Sequence, residues 1–142
     1  MNVAHQLKAH FRGTPCRTYI ADMKVRVEAA DAYYYPDVFV TCDSEDRESD
    51  LFKSYPTLVV EVLSDSTAAF DRGRKFSHYR LLDSLREYVL IDPELLTVDV
   101  FRRNPEGHWV FVSYEGEGVA EFGSLEFRAS LSEIFEDVEH VH

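Results

Sequence analysis

The chain reads as an α/β (α+β) fold, a mixed β-sheet flanked by helices with an added β-hairpin toward the C-terminus. Three observations predict this. Residues 58–63 (LVVEVL) are a continuous apolar run, the mark of a central strand covered on both faces. A helix-like segment, FDRGRKFSHYRLL (70–82), follows it, and a second buried run, EYVLIDP (87–93), comes next. Finally VDVFRRN and HWVFVSYE flank NPEG, a turn sequence between two strand-like segments.

The 142 residues fit one domain (1–142) with room for a real core. Hydrophobic residues make up 45% and aromatics 13%, which excludes a disordered chain. No apolar run approaches the ~18 residues of a membrane helix, and MNVAHQLKAHF is too polar for a signal peptide. Cys16 and Cys42 lack the spacing of a zinc site, so reduced thiols in a soluble, cytoplasmic protein are expected. Asp and Glu outnumber Lys and Arg by 26 to 15, a net charge of −11. Such a balance argues against tight non-specific DNA binding, which draws on phosphate contacts. The basic residues are nevertheless clustered: Arg72, Arg74, Lys75 and Arg80 on one helix, Arg102 and Arg103 together.

Taken in order, residues 2–11 predict a short helix with Val3, Leu7 and Phe11 repeating every four residues, ended by RGTP. CRTYIA and MKVRVEA predict strands, the second with Met23, Val25 and Val27 on one face and charged residues on the other. AADAY is a turn, and YYYPDVFVTC is a third strand. The acidic stretch 43–56 shows no period and is expected to be a mobile, solvated loop, with too poor an oxygen pattern for calcium. SDSTAAFD offers polar caps for the helix 70–82. Short strands near VAEF and LEFR precede a closing helix, SLSEIFEDV, where Ser130 and Glu133 have capping-box spacing. The apolar hairpin 96–115 leaves an edge that a homodimer could cover.

Three residues interrupt this pattern. Asp37 and Glu61 lie in strands that otherwise read as buried, where an unpaired carboxylate is costly. Alternation places Asp37 with Phe39 and Thr41 on one face, and Glu61 with Val59 and Leu63. Lys75 shares a helix face with Tyr79 and Leu82, which aims it at the sheet. Two acids and a lysine that converge suit a divalent-metal phosphodiesterase site. They equally suit a plain buried ion pair with a spare acid. His5, His10, His78 and His108 read as surface or satisfied core groups, and Trp109 and Tyr33–Tyr35 as core and sheet surface rather than base-stacking platforms.

In the order YYYPDVFV, LVVEVLS, FDRGRKFSHYR and SLREYVLIDP, the chain resembles the Uma-type putative restriction endonuclease family of the PD-(D/E)XK nuclease superfamily. The matching segments run from about Cys16 to the C-terminal helix. The resemblance implies a restriction-endonuclease-like core and DNA as substrate. It also implies Mg²⁺ or Mn²⁺ held by Asp37, Glu61 and the main-chain carbonyl of Val62. Superfamily members carry a lysine two residues after the glutamate, where Leu63 stands here. Members of the resembled family carry it on the following helix, where Lys75 stands. Asp37, Glu61 and Lys75 are thus the implied catalytic set, with Asp71 one turn before the lysine as a helix cap. Longer relatives have a further N-terminal segment with an acidic residue, so the first-motif acid has no counterpart assigned here. Two other readings use the same residues: a catalytically weak or inactive nuclease-fold module acting through interactions, and a small-molecule phosphodiesterase.

Overall fold

A computed structural model describes residues 2–64 and 71–136, the side chains of residues 71 and 72 excepted. Its centre is a six-stranded mixed sheet. The strands are β1 (Arg17–Ile20), β4 (Val38–Thr41), β5 (Pro56–Val62), β6 (Glu87–Asp92), β7 (Thr97–Arg103) and β8 (Trp109–Tyr114), in that spatial order. Only the β5–β6 pair is parallel; the other neighbours run antiparallel. β2 (Val25–Val27) and β3 (Ala32–Tyr34) form a separate ribbon, as do β9 (Val119–Phe122) and β10 (Phe127–Ser130). The mixed sheet and the hairpin closed by β7 and β8 match the expected architecture.

The two faces of the sheet carry separate cores. Leu58 and Val60 of β5 join Val38, Val40, Val89, Val98 and Val100 beneath α1 (Asn2–His10) and α4 (Leu131–Ile134). Val59 and Leu63 join Phe39, Tyr88 and Leu90 on the opposite face, under the β2–β3 ribbon and Tyr79. The continuous apolar runs of β5 and β6 arise because both faces are covered, so every position between Leu58 and Glu61 is buried. Ser130 caps α4, its Oγ accepting from the Glu133 N–H at 3.2 Å as in a capping box, while Glu133 Oε1 accepts from the Ser130 hydroxyl at 2.8 Å.

Four expectations are corrected. The stretch YYYPDVFVTC is two strands, because Pro36 has no N–H for a ladder: β3 pairs with β2 and β4 enters the main sheet. Residues 43–56 are not a structureless loop. Asp43 caps α2 (Ser44–Glu48), and Asp46 is buried, accepting from Thr41 Oγ1 (2.6 Å), Ser54 N–H (2.7 Å) and Tyr55 N–H (2.9 Å). The Lys53 ammonium, also buried, donates to the carbonyls of Asp46 and Ser49. Cys16 and Cys42, just before β1 and just after β4, are joined in a disulfide rather than left as thiols. The helix expected over 70–82 is a π-helical turn (Asp71–Lys75) followed by α3 (Phe76–Tyr79). Beyond it the turns tighten to i→i+3 bonds, Leu81 N–H to His78 O and Leu82 N–H to Tyr79 O, both 3.0 Å. Gly73 in the first turn weakens regular helix there. The proposed caps from residues 65–70 and the Asp71 side chain lie outside the described residues.

Candidate functional site

The functional side chains come from three elements that meet on the face covered by the β2–β3 ribbon. β4 and β5 are paired with Val38 opposite Val60, which brings Asp37, just before β4, level with Glu61. The pair is wired through the backbone: Asp37 N–H donates to Glu61 Oε1 at 2.9 Å, and Val62 N–H donates to Asp37 Oδ2 at 2.7 Å. Lys75, at the end of the π-helical turn, donates from Nζ to Glu61 Oε2 at 2.8 Å. The structure therefore brings Asp37, Glu61 and Lys75 together, and Val62 sits within the same cluster.

Glu61 is 1% exposed. Burial raises its carboxyl to about 7 from the ordinary 4.5, and the Asp37 charge adds to that; Lys75 and the Asp37 N–H pull the other way. The Coulombic gain from one lysine does not cover the cost of desolvating this carboxylate, so the pocket favours additional positive charge. Asp37 is half-buried, and no hydrogen bond to its Oδ1 is present among the described residues. Continuing the β4–β5 register by two residues puts Pro36 opposite Val62. Proline cannot donate, so the Val62 carbonyl receives no ladder bond from that position, while its N–H is taken by Asp37. The proline and aspartate of the PD pair thus have complementary effects on one residue of β5.

Two carboxylates and one main-chain carbonyl are hard oxygen donors of the kind Mg²⁺ and Mn²⁺ accept while keeping several waters. Among the described residues no group of three or more His, Cys, Asp and Glu side chains gathers at metal-binding distances. Leu63, at the place of the superfamily lysine, is buried in the apolar core, its N–H bonded to Ile91 O at 2.8 Å. One neighbouring contact had no signal in the sequence. Tyr34 Oη and His78 Nδ1 are 2.5 Å apart, joining β3 to α3 next to Lys75. Residues 34 and 78 have no sequence pattern that links them, since only the ribbon's placement over α3 brings them together.

The sequence profile of the Uma2 family, described as putative restriction endonucleases, matches residues 1–132. The chain belongs to this family. Two uncharacterized proteins of Synechocystis sp. are similar: slr1290 is 36% identical over 126 residues and sll1609 is 33% identical over 101. Those alignments cover 89% and 70% of this chain but 66% and 57% of the relatives, so this Uma2 chain spans about two thirds or less of their lengths. A solved structure of a putative DUF820 nuclease from Anabaena variabilis superposes with a TM-score of 0.77 at 17% identity. It covers 94% of this chain and 75% of the other, and at that identity it shows the shared fold. Among the described residues no helix is long and apolar enough to cross a membrane.

Proposed function

We propose that this Uma2 chain is a metal-dependent nuclease hydrolysing phosphodiester bonds of DNA, with Asp37, Glu61 and Lys75 as its catalytic set. The observation that carries the reading is Glu61. It is a carboxylate at 1% exposure whose pKa burial raises to about 7, held by the Asp37 N–H and the Lys75 ammonium beside a second carboxylate. Asp37, Glu61 and the Val62 carbonyl would hold Mg²⁺ or Mn²⁺, as this donor set suits. Bound there, the ion would neutralise charge on the scissile phosphate and lower the pKa of a bound water. Val62 N–H holds Asp37 Oδ2 and so leaves Oδ1 for a ligand. Asp37 N–H fixes Glu61 Oε1 in the same way. Lys75 Nζ, beside Glu61 Oε2, orients the attacking water and donates to the oxygen on which negative charge develops.

The test is Mg²⁺-supported nicking of supercoiled plasmid. Asp37→Ala and Glu61→Ala abolish nicking while circular dichroism stays that of the folded protein, and Lys75→Met slows it by about 10²-fold or more. Wild-type rates in all three variants would refute the site. The net charge of −11 favours a second reading, a nuclease-fold module without catalysis. Calorimetric titration with Mn²⁺ separates the two, since the catalytic reading requires saturable binding that Glu61→Ala removes.

A further inference from the structure

The basic residues that the sequence places in two clusters are redistributed by the fold. Arg102 goes to the core face under α1, where its Nε donates to the buried Glu87 at 3.0 Å. Its neighbour Arg103 goes to the other face and gathers two further arginines. Its guanidinium donates to the carbonyls of Arg80 (2.7 Å) and Asp83 (3.2 Å), and its N–H donates to Arg86 O at 2.9 Å. The same guanidinium lies 4.7 Å over the Trp109 ring. Arg80 and Arg86 are exposed, and among the described residues neither they nor Arg103 form an ion pair with a carboxylate. Burial lowers the Arg103 pKa, the Arg86 charge lowers it further, and Asp83 opposes them, which places the Arg86 charge close by. A protein carrying 11 excess negative charges has here set Arg103 against the main chains of two exposed arginines, Arg80 and Arg86, with Asp83 the nearby acid.

The cluster lies on the candidate site's face of the sheet but toward the other end of β5: Arg86 N–H donates to Thr57 O, four residues or about 13 Å before Glu61. The Phe76 ring, next in sequence to Lys75, packs edge-on against Trp109 at 5.3 Å. Arg80 follows Lys75 by five residues, about 8 Å along a helix. A DNA strand with one phosphate at Lys75 and its backbone running along this face would bring phosphates further along the strand, not the adjacent one, to this surface.

We propose that Arg80, Arg86 and Arg103 form a phosphate-contact patch that grips the DNA backbone on the candidate site's face of the sheet, at a distance from the bond being cut. The proposal rests on the nuclease reading and adds where the substrate lies. Arg80 and Arg86 contact phosphates directly. Arg103, with two of its guanidinium N–H groups on the carbonyls of Arg80 and Asp83, is a positioning residue that sustains the positive field and holds the segment after α3 against β7.

The test is fluorescence anisotropy of labelled duplex DNA in EDTA, across a series of NaCl concentrations. Relative to wild type, Arg80→Ala/Arg86→Ala weakens binding at low salt by at least tenfold and lowers the slope of log K against log salt by about 0.9 per lost contact. Lys8→Ala/Arg12→Ala, on the α1 side of the sheet, leaves both unchanged. Equal affinity and slope in the Arg80/Arg86 variant, or no DNA binding by wild type, overturns the patch. Plasmid nicking distinguishes the two failures. Glu61-dependent nicking with unaltered Arg80/Arg86 binding discards the patch and keeps the nuclease. Arginine-dependent binding without any nicking keeps the patch and discards the nuclease.

Discussion

At the scale of single residues, Glu61 is where electrostatics and packing conflict. Its folded-state pKa, about 7, lies above the ordinary 4.5. In metal-free protein the folded state thus binds a proton at pH values where the unfolded chain has released it. That contribution to stability is full below about 4.5 and is lost as pH rises through 7, a span on the order of 3 kcal/mol. Urea unfolding in EDTA at pH 5, 6, 7 and 8 should show the decline, and Glu61→Gln should remove it. The residues of this cluster were legible as candidates before the fold was known, because acids in buried runs and a helical period single them out. Alternation gave each acid a face of its own strand, and the helical spacing of Lys75, Tyr79 and Leu82 aimed the lysine at the sheet. The β4–β5 register set Asp37 level with Glu61. The Val62 N–H to Asp37 bond was not legible, because it depends on the β4–β5 register and on Pro36 ending the ladder.

At the scale of elements, the acidic segment 43–56 shows how composition misleads. Eight consecutive residues of DSEDRESD contain only charged residues and serines, which reads as solvated loop. In the fold one of those acids, Asp46, is buried and takes three hydrogen bonds that join α2 to the approach to β5. Lys53 plugs the same turn from beneath and lies 4.8 Å over the Tyr19 ring. Asp46→Ala leaves two backbone N–H groups and the Thr41 hydroxyl without this acceptor, and should cost about 3 kcal/mol in urea unfolding. Glu45→Ala, at an exposed neighbour, should cost under about 0.5 kcal/mol. Periodicity alone cannot identify a buried acid in a short helix, since one turn presents too few residues to define a face. The π-helical turn before α3 has the same character: Gly73 signals weak helix, but nothing local specifies i→i+5 bonding.

At the scale of the whole molecule, the sheet is closed by contacts between residues far apart in sequence. The Cys16–Cys42 disulfide spans 26 residues and ties β1 to β4 at one edge. Reduction should lower stability by about 3 kcal/mol through the freed unfolded chain, read as the difference between urea transitions with and without reductant. Glu87, fully buried, joins Arg102 of β7 to Ser124 beside β9, at 3.0 Å and 2.9 Å to the Ser124 N–H. That contact anchors the β9–β10 ribbon to the main sheet.

Strand faces, the buried central run, the hairpin about NPEG and the singling out of Asp37, Glu61 and Lys75 are properties of local spacing that the amino-acid order alone specifies. The meeting of the three is set by the β4–β5 register. The disulfide, the splitting of the strand at Pro36, the burial of Asp46 and Lys53, and the parting of Arg102 from Arg103 are decided only in three dimensions. Each depends on which strands become neighbours and in what register. That choice is made by closing long loops over a shared core, and a one-residue shift would send every one of these side chains to the opposite face.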